Sequence, residues 1–144
     1  MQVLGEWYEC DDGVERPVIH GRTLAADGSW VQTPFLVDTG ADRTVLSSEI
    51  FDALSLPRLP AQERIGGVGG LVNSILLDTA IRLFRESGGE VTFRGQFTAV
   101  TDPETLDMSV LGRDITSLFA VIVDRPGDVV CLVRPRHRYV VTED

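Results

Sequence analysis

Six segments rich in β-branched and apolar residues, 17–24, 30–37, 74–84, 91–100, 120–123 and 129–133, dominate the chain and limit it to a fold built from strands. Between three pairs of them lie compact turn sequences: Ala26-Asp27-Gly28-Ser29, Glu86-Ser87-Gly88-Gly89 and Arg125-Pro126-Gly127-Asp128. Glycine, proline and aspartate supply the backbone conformations that tight reversals need, so each pair is predicted to be a hairpin. Two short helices are predicted, over 47–54 with a serine cap and over 113–119 after Gly112. The segment before Arg16 reads as an N-terminal extension, and the residues after Val133 as a short, loose tail. With no repeat of fixed period and no linker-like stretch, the expectation is one all-β domain over residues 1–144, its core at about 16–133.

Composition narrows the function. The 144 residues carry a formal net charge of −9, and all the basic side chains other than histidine are arginines, which argues against nucleic-acid binding through a general basic surface. No apolar stretch has the length of a membrane span, and the N-terminus lacks the basic and apolar regions of a signal peptide; a cytoplasmic address and no membrane partner are the expectation. Cys10 and Cys131 are too few and too far apart for a disulfide framework or a zinc site and are expected to be free thiols. His20 and His137 have no nearby cysteine or serine in a recognisable nucleophile motif, which argues against a triad enzyme.

The chemistry concentrates at Phe35-Leu36-Val37-Asp38-Thr39-Gly40-Ala41-Asp42, where an acidic residue follows directly on an apolar strand. A carboxylate at the mouth of a buried strand loses hydration and needs compensating hydrogen bonds, and Gly40 allows a backbone N–H to approach it closely. Taken alone, Asp38-Thr39-Gly40 is also compatible with a plain turn carrying an Asx bond.

Three segments in a definite order make the chain resemble the retropepsins, the aspartic proteases of retroviruses and their cellular and bacterial relatives. They are Leu36-Val37-Asp38-Thr39-Gly40-Ala41-Asp42, the flap-like Ile65-Gly66-Gly67-Val68-Gly69-Gly70, and Val110-Leu111-Gly112-Arg113-Asp114; Arg16-Pro17 is a weaker echo. The likeness spans roughly residues 16–119. It departs from the family in the extension before Arg16, in the hairpin-like segment 120–133, and at Arg43, where many viral members carry another acid.

The resemblance implies an all-β, closed retropepsin-like barrel, half of an acid protease, with one or two short helices. It makes Asp38, Thr39 and Gly40 the catalytic loop. Ala41, Asp42, Arg43, Val45, Met108 and Val110 would line the substrate cleft, with Arg43 favouring an acidic substrate side chain, and Gly66, Gly67 and Val68 of the flap would hold an extended peptide. Asp42 and Arg113 would form an ion pair, and Arg16 would reach Asp42 of another subunit. Aspartic peptidases need two carboxylates, one ionised to activate water and one protonated to hydrogen-bond the scissile carbonyl. This chain offers one such motif, since Asp78-Thr79-Ala80 lacks the glycine and falls within a strand. The second Asp38 must then come from an identical subunit, giving a homodimeric endopeptidase that acts on peptides or proteins without a metal or organic cofactor. The alternative is a retropepsin-fold module for dimerisation or peptide binding, with little or no hydrolysis.

Overall fold

The computed structural model describes residues 1–59, 62–67, 70–135 and 140–143. Strand β3 (Glu15–Leu24) turns through residues 25–29 into β4 (Trp30–Val37). The reversal is held by Ala25 N donating to Ser29 O (2.8 Å) and by Ser29 N and Oγ donating to Asp27 Oδ1 (2.9 and 2.6 Å). Gly28, at φ +84°, takes the left-handed conformation that the turn demands. Along β4, Thr33, Phe35 and Val37 are buried while Pro34 and Leu36 are half-buried, the period-two pattern of a strand with one face on the core.

A long hairpin follows the same logic: β7 (Gly70–Phe84) pairs antiparallel with β8 (Glu90–Val100) from Ser74↔Val100 to Phe84↔Glu90. Before β7 comes β6 (Gln62–Gly67), paired with it up to Gly67↔Gly70. The connection from β4 contains the two-residue β5 (Val45–Leu46) and helix α1 (Ser48–Leu54), which Ser47 caps by accepting from Ile50 N (3.4 Å). After β8 come β9 (Ser109–Leu111) and α2 (Arg113–Thr116). The larger sheet has the order β2-β3-β4-β9-β5-β8-β7-β6, where β2 is Glu6–Glu9, and the further pairing of β3 with β7 closes the six strands β3-β4-β9-β5-β8-β7 into a barrel. Phe35, Leu46, Leu77, Ile81, Leu83 and Leu111 fill its interior, each fully buried.

Two sequence expectations change. The helix expected over 113–119 stops at Thr116, because the next backbone bonds, Leu118 N to Ile115 O and Phe119 N to Thr116 O, tighten into three-residue turns. The N-terminal segment, expected outside the core at about 16–133, is part of the fold: β1 (Gln2–Leu4) pairs with β11 (Val129–Val133), which in turn pairs with β10 (Ala120–Asp124), in a three-stranded sheet. Val3 is 1% exposed, so burial anchors this strand despite its three residues. Met1 and Arg134 exchange two hydrogen bonds, fixing the chain where it leaves β11. Beyond that point the expected tail is described only at Arg134, bonded to Met1, at Pro135 and at residues 140–143, all of them exposed; His137 lies outside the described residues.

Candidate active site

β9 is inserted beside β4 in parallel, with Leu36↔Val110 and Val37↔Leu111 as partners, so both strands leave the barrel at the same end. Asp38 therefore emerges next to Gly112. Its backbone N–H donates to Leu111 O (3.2 Å), and its carbonyl accepts from Ala41 N (3.2 Å), closing a tight turn. Gly40 N donates to Asp38 Oδ1 at 3.0 Å. A Cβ on Gly40 would stand 3.2 Å from the same oxygen, so any side chain there would press on the carboxylate that Gly40 N–H now binds. Asp38 is half-buried and Thr39 and Gly40 are exposed, so the carboxylate is presented at the surface rather than sealed in the core.

The loop is braced from α2. Arg113 donates its backbone N–H to Ala41 O (2.8 Å) and Nη1 to Thr39 O (2.9 Å), and pairs Nη2 with Asp42. Both side chains of that ion pair are exposed, and such a pair contributes only about 0–1 kcal/mol by itself. The larger share of the bracing falls to Thr44, which sequence reasoning did not single out, and to Asp114, which it quoted in the Val110–Asp114 segment without assigning it a role. Thr44, 0% exposed, donates its N–H and its hydroxyl to Asp114 Oδ1 (2.9 and 2.6 Å), and its hydroxyl accepts from Gly112 N (3.1 Å). Asp114 Oδ1 also accepts from Ile115 N (2.9 Å). An acid in the first turn of a helix is a visible N-terminal signal, but its partner 70 residues upstream is not. Gly112 lies flat against this junction, where a Cβ would come within 2.2 Å of the Arg43 carbonyl carbon.

A cleft of about 880 Å³ is lined by Leu36, Met108 and Val110 together with Arg16 and the carboxylates of residues 11, 12, 49, 104 and 107; the residues of the Asp38 loop are not part of its lining. Of the residues expected to line a substrate cleft, Met108 and Val110 border this one; Ala41, Asp42 and Arg43 lie on the Asp38 loop, and Val45 is buried within the sheet, paired with Thr98 and Val110. In the flap-like segment Gly66 and Gly67 belong to β6, while Val68 and Gly69 lie outside the described residues. Asp78 sits in mid-β7 opposite Gln96, within a strand as expected.

Arg16, expected to reach Asp42 of a second copy, makes a two-pronged pair with Asp12 of its own chain, Nη1–Oδ1 2.9 Å and Nη2–Oδ2 2.6 Å. That hydrogen-bonded guanidinium, with Val14 N–H, holds the Asp12 carboxyl at about 2. Because the folded value is depressed, whatever stability the pair confers is complete above the ordinary carboxylate range, near about 4, and is lost as pH falls towards 2. Arg16→Ala is expected to move the Asp12 titration upward, followed by NMR of the side-chain carboxyl; an unchanged titration would mean the pair does not persist in solution. Both cysteines are free. His20 is an exposed β3 residue in edge contact with Tyr8.

Comparison with known proteins agrees with this geometry. The family model described as aspartyl protease matches residues 23–115, which include the Asp38 loop, the flap-like hairpin and the Gly112–Asp114 brace. Among solved structures, the chain is similar to a retropepsin-like aspartic protease from Rickettsia conorii, with TM-score 0.55 and 18% identity over 92% of this chain and 88% of that one. It is also similar to EIAV protease complexed with the inhibitor HBY-793, with TM-score 0.50 and 24% identity over 76% of this chain and 90% of that one. A comparison with curated proteins returned no match. With the model matching well over half of its length, and with a retropepsin-like barrel around the loop, the chain belongs to the aspartyl protease family.

Proposed function

We propose that the chain is one half of an aspartic endopeptidase, and that two copies join about a two-fold axis to bring their Asp38 carboxylates together. The observation that carries this reading is a complete catalytic loop present once. Asp38 is oriented by Gly40 N–H and the loop is braced by Arg113, yet one carboxylate cannot be both base and acid in the same step. Two carboxylates a few ångströms apart cannot both ionise readily and so share a proton. The ionised one takes a proton from a bound water as its oxygen attacks the peptide carbonyl carbon, and the protonated one donates to the carbonyl oxygen. Collapse of the tetrahedral species then breaks the C–N bond as the amine leaves with a proton. Leu36 and Val110, paired with each other two residues before Asp38 and Gly112, favour hydrophobic side chains beside the scissile bond, and the glycine-rich β6–β7 hairpin fits a cover for an extended peptide.

The test is cleavage of a diverse peptide library from pH 4 to 7 across a range of protein concentrations, with native mass measured alongside. Specific activity is expected to rise with concentration in step with the dimer fraction. A confirmed dimer that cleaves nothing across that range would point to a peptide-binding module instead.

A further inference from the structure

We infer that the cleft floored by Leu36, Met108 and Val110 takes an arginine or lysine side chain of the peptide substrate, about two to four residues from the scissile bond. The inference rests on the peptidase reading above and names the substrate class that reading leaves open, peptides with a basic side chain near an apolar cleavage point.

Three parts of the chain, far apart in sequence, supply the acidic rim of this cleft. The turn between β2 and β3 contributes Asp11 and Asp12, the first turn of α1 contributes Glu49, and the connection from β8 to β9 contributes Glu104 and Asp107. Arg16 is the one cationic side chain in the lining, and both of its terminal nitrogens are taken by Asp12. Among the described residues, the carboxylates of Asp11, Glu49, Glu104 and Asp107 have neither an ion pair nor a hydrogen bond. Five carboxylates thus share one guanidinium, and four are left without a cation. Each is exposed and weak by itself, but four around one concave site add into a negative potential that concentrates cations there.

The form of the cation follows from the floor. Leu36 and Met108 are half-buried and Val110 is buried, which sets apolar ground below the acidic rim. Among the described residues, no three carboxylate, imidazole or thiol groups converge as the ligands of a metal ion do. An apolar floor under separated carboxylates matches a charged head on a long hydrocarbon stem, with the stem lying on the floor and the head reaching the rim. Arginine and lysine have that form. A volume of about 880 Å³ admits such a side chain together with its neighbours in an extended peptide.

The position follows from the strands. Leu36 and Val110 are partners, each two residues ahead of the point where its strand leaves the barrel at Asp38 or Gly112. That is about 7 Å of strand, and an extended peptide advances about 3.3 Å per residue. The side chain over this floor therefore belongs to a residue about two to four positions from the bond that Asp38 addresses.

The test uses pairs of peptides that share an apolar cleavage point and differ only in having arginine or glutamine at one position, two, three or four residues to either side of it. Cleavage gives the ratio of kcat/KM within each pair. Fluorescence anisotropy gives the ratio of Kd for the same peptides, labelled, on chains that carry Asp38→Asn. Wild type is compared with Glu104→Gln/Asp107→Asn and with Glu86→Gln/Glu143→Gln, which removes the same charge from exposed positions outside the cleft. Wild type is expected to favour arginine by roughly three- to tenfold in both ratios, at one or more of the positions. That preference is expected to fall at least by half in Glu104→Gln/Asp107→Asn, to survive in the control variant, and to shrink in about 1 M salt. No arginine preference in either ratio, or a preference that the two double variants change equally, overturns the basic subsite, and cleavage of the peptides in that case leaves the peptidase standing. Arginine-dependent binding that Glu104→Gln/Asp107→Asn removes, in a chain that cleaves nothing, supports the cleft as a site for basic peptides and overturns the peptidase.

Discussion

Asp38→Asn is expected to lower peptide hydrolysis by about 10³–10⁴-fold while leaving the melting curve and the dimer constant within error of wild type. The fold is spared because the asparagine side-chain oxygen can accept the Gly40 N–H bond that Asp38 Oδ1 accepts now, and the bonds from Asp38 N to Leu111 O and from Ala41 N to Asp38 O are backbone bonds. The chemistry is not spared, because an amide neither takes a proton from water nor delivers one to the oxyanion. In a homodimer the single substitution removes both carboxylates at once. Steady-state cleavage and thermal unfolding of the same preparation decide the matter. Hydrolysis that survives in Asp38→Asn at more than a few per cent would place the catalytic group elsewhere.

Asp114→Ala should show the opposite profile, with stability lost first and activity following from it. Removing the carboxylate leaves the N–H and hydroxyl of fully buried Thr44 without their acceptor, at about 1–3 kcal/mol for each unsatisfied group; because Asp114 itself is exposed, water approaches the vacated side and the lower part of the sum, roughly 2–4 kcal/mol, is expected. For a chain of this size that is a fall in Tm of roughly 5–15 °C. Thr44 ties the chain just beyond the Asp38 loop to Gly112 and α2, so the catalytic loop loosens as well and kcat falls. Asp114→Asn keeps an acceptor oxygen and should recover most of the loss. Equal behaviour of the two variants would refute the hydrogen-bond account. Gly112→Ala offers a steric counterpart, since its methyl group would enter the Arg43 carbonyl and the backbone would have to move.

How much of this was legible beforehand divides by range. Strands β3, β4, β7, β8, β10 and β11 announce themselves through runs of β-branched residues and the turn chemistry between them, because both signals act within about ten residues. The Asp38-Thr39-Gly40 loop was equally visible: a charge after an apolar strand, with a glycine two residues on, is a local conflict that only a specific hydrogen-bonding geometry resolves. β1, β2, β5 and β9 have two to four residues each, too few for any period to show, and they exist because of partners far along the chain. Val3 is a strand residue because Leu132 lies opposite it, and Val110 because Leu36 does.

The sequence by itself therefore determined the class of fold, the hairpins and the place of the Asp38 loop, all of which follow from local sterics, hydrophobic pattern and the chemistry of one carboxylate. Only the tertiary structure decided that the N-terminal segment belongs to the fold and that Thr44 and Asp114 lock the loop to α2. Those outcomes depend on which strand, and which buried donor, meets its partner across 70 residues or more. They are settled by the packing of the whole chain and are written in no single stretch of it.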